Sequence, residues 1–133
     1  MAKILIVDDS AVARRVISYT LQKDGHQTVL VTSAHEAIET LYSMSNLSSS
    51  FDLAILDVAM PDVDGLTLLK QIRADNRYKA LPVLMLTASS QDEDRIIARS
   101  EGANEFLTKP VRSRELLEVV NTLLSESSHH HVD

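Results

Sequence analysis

Five short apolar runs, each divided from the next by a longer stretch with helical spacing, constrain this chain more than any other feature. The runs are residues 4–7, 28–31, 53–56, 83–86 and the weaker 105–108. They are near-continuously apolar rather than alternating, as strands covered by helices on both faces are. The first intervening stretch carries Val12, Val16, Ile17 and Leu21 on one helical face, with Gly25 as a stop. The second opens on the capping-box pair Ser33 and Glu36 and continues with Ala37, Ile38 and Leu41. A third follows Gly65 with Leu66, Leu69 and Ile72. A fourth opens on Ser90 and Glu93 and ends before Gly102. The fifth runs from about Ser113 with Leu116, Leu117, Val120 and Leu124. Five βα units predict an α/β chain, a doubly wound (βα)5 parallel sheet. Right-handed crossovers then place all five strand carboxyl ends on one edge.

At 133 residues the chain holds one domain's core. We expect that domain over residues 1–124, and a disordered tail over 125–133. The tail's His129-His130-His131 is read as a solvated terminus or tag remnant rather than a metal site. Four serines between Ser45 and Ser50 predict a flexible loop. A net charge of −6 argues against direct nucleic-acid binding. The absence of cysteine excludes disulfides, Cys-ligated metals and thiol catalysis. The first apolar run ends at Asp8, too short for a signal peptide, and no stretch approaches a membrane span. A cytoplasmic protein without membrane insertion is the expectation.

Ligands of open α/β sheets bind beyond the strand carboxyl ends. Asp8 and Asp9 follow the first run, Asp57 the third, Thr87 and Ala88 the fourth, Lys109 and Pro110 the fifth. Thr32, after the second, has no evident place in a site. Three carboxylates gathered on one edge repel one another unless protonation or a cation relieves them. A hard divalent cation with oxygen ligands suits them, and magnesium, held by few carboxylates plus waters and a phosphate, suits them best. A nucleophilic carboxylate beside a metal and a lysine is what an aspartyl-phosphate site needs. Taken singly, each residue has a plainer reading. Asp8 or Asp9 could cap a helix, Thr87 could end a strand, Lys109 could be a solvated loop lysine, and Phe106 could be core. Residues 60–65, Met60-Pro61-Asp62-Val63-Asp64-Gly65, read mainly as turn chemistry.

Four segments together carry a resemblance: Ile6-Val7-Asp8-Asp9-Ser10; Leu56-Asp57 through Asp64-Gly65; Met85-Leu86-Thr87-Ala88; and Phe106-Leu107-Thr108-Lys109-Pro110. In order, each at a strand end, they resemble the receiver domains of bacterial two-component response regulators, over about residues 3–124. The resemblance implies a flavodoxin-like strand order 2-1-3-4-5 and phosphorylation of Asp57 by a sensor histidine kinase or phosphotransfer protein. It implies Mg2+ on Asp8, Asp9, Asp57 and the Ala59 carbonyl. It implies phosphoryl-binding and switch roles for Thr87, Ala88 and Lys109, with Phe106 as the switch aromatic. It further implies a cis Lys109–Pro110 peptide and a downstream protein target read through the fourth helix, fifth strand and fifth helix. Ala59 and the short Ser89 stand where some relatives carry polar side chains that help water attack, so slow self-dephosphorylation is expected. Two other functions compete. A haloacid-dehalogenase-type phosphotransferase wants an acid two residues after Asp57, where Ala59 stands. A phosphorylation-independent interaction module would not need the intact set of Asp8, Asp9, Asp57, Thr87 and Lys109. The expectation is therefore a signalling phosphoacceptor, not an enzyme.

Overall fold

A computed structural model of the chain describes residues 2–43, 51–60, 62–88 and 97–132. The strands are β1 (Lys3–Val7), β2 (Gln27–Val31), β3 (Leu53–Asp57), β4 (Val83–Thr87) and β5 (Glu105–Thr108). The helices are α1 (Ala11–Lys23), α2 (Ala34–Ser43), α3 (Gly65–Ala74), α4 with helical residues 97–100, and α5 (Ser113–Val132). Every strand pair is parallel, in the order β2-β1-β3-β4-β5. This is the doubly wound arrangement and the order expected. The serine-rich segment and the Ser90–Glu93 capping pair lie outside the described residues, as does Ser89.

Strand alternation divides the core in two. Ile4, Ile6, Leu53, Ile55, Leu84, Leu86 and Leu107 face α1 and α5, where Ile17, Leu21, Leu116 and Val120 meet them. Leu5, Val7, Ala54, Leu56, Val83 and Met85 face the other way, onto Ala37, Leu41, Leu68, Leu69 and Ala98. Both faces of β1, β3 and β4 are thus buried. β2 departs from this: it has a neighbour on one side only, helix cover stops short of its outer edge, and Leu30 is exposed.

Local chemistry fixes the helix ends that border the carboxyl edge. Ser10 caps α1 by accepting the Ala13 N–H at 3.2 Å, and Asp64 caps α3 by accepting the Thr67 N–H at 2.8 Å. So neither Asp8 nor Asp9 caps α1. At α2, Ser33 Oγ accepts the Glu36 N–H, while Glu36 reaches back to the Thr32 N–H. The expected tail behaves differently. α5 continues to Val132, because residues 125–132 contain neither glycine nor proline to stop it. No helix among the described residues is long and apolar enough to cross a membrane.

Candidate functional site

The period of two along a strand places the site before any contact is considered. Continuing past Ile6, Ile55 and Leu107 by two residues reaches Asp8, Asp57 and Lys109 on one sheet face. β1 and β3 pair in register up to Val7 and Leu56, so the next residues on each strand, Asp8 and Asp57, fall side by side. Lys109 closes the group: its Nζ donates to Asp57 Oδ2 at 3.1 Å and lies 3.0 Å from Asp8 Oδ2. Asp9, exposed at the rim, completes a set of three carboxylates with ligand oxygens within 4.8 Å of one another.

Asp8 is fully buried and Asp57 nearly so. One Asp8 oxygen, Oδ1, accepts the Ser10 N–H at 2.9 Å. The other, Oδ2, is ion-paired with the Lys109 ammonium at 3.0 Å. One ammonium is thus shared by two buried carboxylates, and a cation would neutralise the negative charge that is left. Asp57 Oδ1 accepts the Ala59 N–H at 3.2 Å. Burial, and then the Asp8 charge, push the Asp57 carboxyl up to about 6, against the opposing pull of Lys109 and the Ala59 amide. Burial also works against the Lys109 charge, but the two carboxylates outweigh it and hold its pKa above normal. All-oxygen donors and three clustered carboxylates served by one lysine fit a hard divalent cation.

The backbone around this cluster is held tightly. Val58 N–H donates to Leu86 O at 2.9 Å, and Lys109 N–H to Thr87 O at 2.7 Å, so the ends of β3, β4 and β5 are bonded in series. Gly65 N–H donates to Val58 O at 2.8 Å. A Cβ at Gly65 would lie 2.2 Å from the Asp57 carbonyl oxygen, so only glycine lets α3 start against the end of β3. The Lys109–Pro110 peptide is cis, as expected. Thr87 is buried at the end of β4, opposite Thr108 and beside the strand that carries Asp57; Ala88 is exposed beyond it. Phe106 lies on the opposite sheet face, partly buried against the core, with the Arg99 guanidinium 5.1 Å from its ring centre.

Two supports escaped the sequence. Arg14 Nη1 donates to the Asp8 carbonyl at 2.7 Å. Its signal was a basic residue near the positive end of α1, where the helix dipole disfavours one. Asp62, read as turn chemistry, accepts the Ala34 and His35 N–H groups at the start of α2. Nothing in the local spacing marks that pairing across 28 residues. An apolar groove of about 370 Å³ opens beside Lys109, lined by Val12, Ala13, Val16, Pro110 and Val111 among others.

Residues 4–121 match the family described as the response regulator receiver domain. Chemotaxis protein CheY1 of Helicobacter pylori strain J99 is 36% identical over 124 residues, which cover 92% of this chain and 96% of that protein. Transcriptional regulatory protein GltR of Pseudomonas aeruginosa is 38% identical over 121 residues, but the match spans 48% of its length. Chemotaxis response regulator CheY4 of Vibrio cholerae superposes with a TM-score of 0.85 at 33% identity, covering 92% of this chain and 98% of that one. The chain belongs to the receiver domain family of two-component response regulators, whose function is phosphorylation-activated signalling.

Proposed function

We propose that the chain takes a phosphoryl group onto Asp57 from the phosphohistidine of a sensor histidine kinase or phosphotransfer protein, with Mg2+. The observation that carries this is the Asp57 carboxylate, nearly buried, raised to about 6, and held beside Asp8 with Lys109 bridging the two. At neutral pH such a group is mostly ionised, hence nucleophilic, yet poorly solvated. One of its oxygens forms the new O–P bond as the donor's N–P bond breaks. The electron pair stays on the imidazole nitrogen, which takes a proton from solvent. Lys109 bonds one phosphoryl oxygen, and Thr87 with the Ala88 backbone accommodates another.

Asp8, Asp9, Asp57 and the Ala59 carbonyl would hold the cation, which when bound supplies positive charge opposite the transferring oxygens. The apolar groove beside Lys109 gives a kinase or phosphotransfer partner a surface from which to reach Asp57. Output runs through α4, β5 and α5: the Arg99 contact with Phe106 joins α4 to β5, and Thr87 lies one strand away. Ala59 has no side-chain donor to orient water, so the acyl phosphate is long-lived. The same absence of an acid at position 59 disfavours a haloacid-dehalogenase-type phosphotransferase. On this reading the receiver domain occupies residues 1–124. It is a cytoplasmic phosphoacceptor with at most self-phosphorylation and self-dephosphorylation.

Incubation with acetyl phosphate and magnesium, followed by intact-mass measurement, tests the assignment. The wild type is expected to gain one phosphoryl group, and Asp57→Asn none. A full gain in Asp57→Asn would overturn it.

A further inference from the structure

The loop from Val58 to Asp64 carries Ala59, whose carbonyl is a proposed cation ligand. A backbone ligand cannot re-aim by changing rotamer; its position is that of the loop. Two sides of this loop are held by other bonds, and the Ala59 N–H itself bonds Asp57 Oδ1 at 3.2 Å. Val58 N–H bonds Leu86 O on the β4 side, and Asp64 caps α3 at its end. Toward β1 and β2, Val58, Met60 and Val63 pack against the core, and Asp62 adds a hydrogen-bonded tie. Its Oδ1 accepts the Ala34 N–H at 3.3 Å and its Oδ2 the His35 N–H at 3.1 Å. These are the first two amides of α2, and Ser33 Oγ takes the third, from Glu36. α2 is in turn joined to the acidic cluster, because Val31 O, three residues before α2, accepts the Asp8 N–H at 3.2 Å.

We propose that Asp62 is a positioning residue for the cation site, which holds the Ala59 end of the acceptor loop by bonding both leading amides of α2. The proposal rests on the magnesium reading above and adds to it that the second βα unit, which contributes no ligand, sets the affinity. The carboxylate suits this task for two reasons. The amino end of a helix favours an anion, and two oxygens can meet two successive N–H groups. The His35 bond is exposed and the Ala34 bond part-buried, at the end of one helix, so their loss costs about what losing a helix cap costs and leaves a chain that still folds. What is lost is the tether.

The test uses the full chain and magnesium alone, with backbone amides followed by NMR. In Asp62→Ala we expect the magnesium dissociation constant, read at the amides of Asp9 and Ala59, to rise about 10-fold, the low end of what removing an outer support of a metal site costs. In cation-free protein, exchange of the Ala34 and His35 amides should quicken in the same variant. Asp62→Asn keeps one acceptor oxygen and should fall between. Ser33→Ala removes the other cap of α2 without touching the loop, and should leave the dissociation constant unchanged. An unchanged constant in Asp62→Ala beside faster amide exchange would reduce Asp62 to a helix cap and overturn the proposal alone. An equal loss in Ser33→Ala would assign the effect to fraying of α2, with the same result. A wild type whose Asp9 and Ala59 amides ignore magnesium would overturn the cation site itself, and the tether with it.

Discussion

Asp57 and Asp64 are seven residues apart on either side of one loop, and their surroundings treat the same side chain in opposite ways. Asp64 is exposed, and the Thr67 backbone N–H, first among its bonds, holds its carboxyl below the usual range. Asp57 is nearly sealed, and burial followed by the neighbouring Asp8 drives its carboxyl up to about 6. The first carboxylate meets a helix that offers unpaired N–H groups, and it stabilises the fold. The second meets another anion in a dry corner, and it costs the fold something. A charge kept where it is least comfortable is one available for chemistry.

Breaking the ion pair should give the largest change in stability. Lys109→Met strips both buried carboxylates of their counter-charge, and unfolding in urea without magnesium should show a loss of about 3 kcal/mol at pH 7.5. Added magnesium should recover much of that loss. A loss unaffected by magnesium would mean that the cation does not take over the lysine's electrostatic task.

The next effect has the opposite sign. The folded-state value for Asp57 lies above its ordinary 3.8, so the folded protein holds that proton more tightly than the unfolded chain. The cost of ionising it is therefore complete above about pH 6 and fades as pH falls from 6 toward 3.8. Asp57→Asn should be more stable than wild type by about 2 kcal/mol at pH 7.5, and the gain should shrink through that window. Thermal unfolding across pH 4 to 8, in chelator, measures this. A gain that does not vary with pH would show that ionisation of Asp57 is not its source.

Asp64→Ala should give the smallest effect. Loss of the cap costs about 1 kcal/mol at neutral pH. The stabilisation from Asp64 is present above the ordinary carboxylate range and lost as pH falls through its lowered value, so the cost should vanish in acid. The two variants thus run in opposite directions at pH 7.5 and both approach wild type as pH falls.

The sequence shows the carboxyl edge because two periodicities converge there. Buried strands announce themselves as apolar runs, and each run stops at the residue that carries the site: Asp8, Asp57, Thr87 or Lys109. The parity of Ile6, Ile55 and Leu107 further selects which of these share a face. What stays hidden depends on backbone atoms whose position only the folded chain fixes. Asp62 looks like any turn aspartate until α2 is seen to begin beside it. Arg14 looks like a solvated helix residue until the Asp8 carbonyl appears beneath it. The extent of α5 was equally hidden, since a serine- and histidine-rich stretch has weak preference either way and only the absence of a breaker lets the helix run on.

The bare contact between Gly65 and the Asp57 carbonyl has a mechanical consequence. With no side chain interposed, the first residue of α3 rests directly on the last residue of β3, so neither can shift toward the other. Sequence drift can resurface the helix freely, but it cannot insert even a methyl at that joint without prying the helix from the strand.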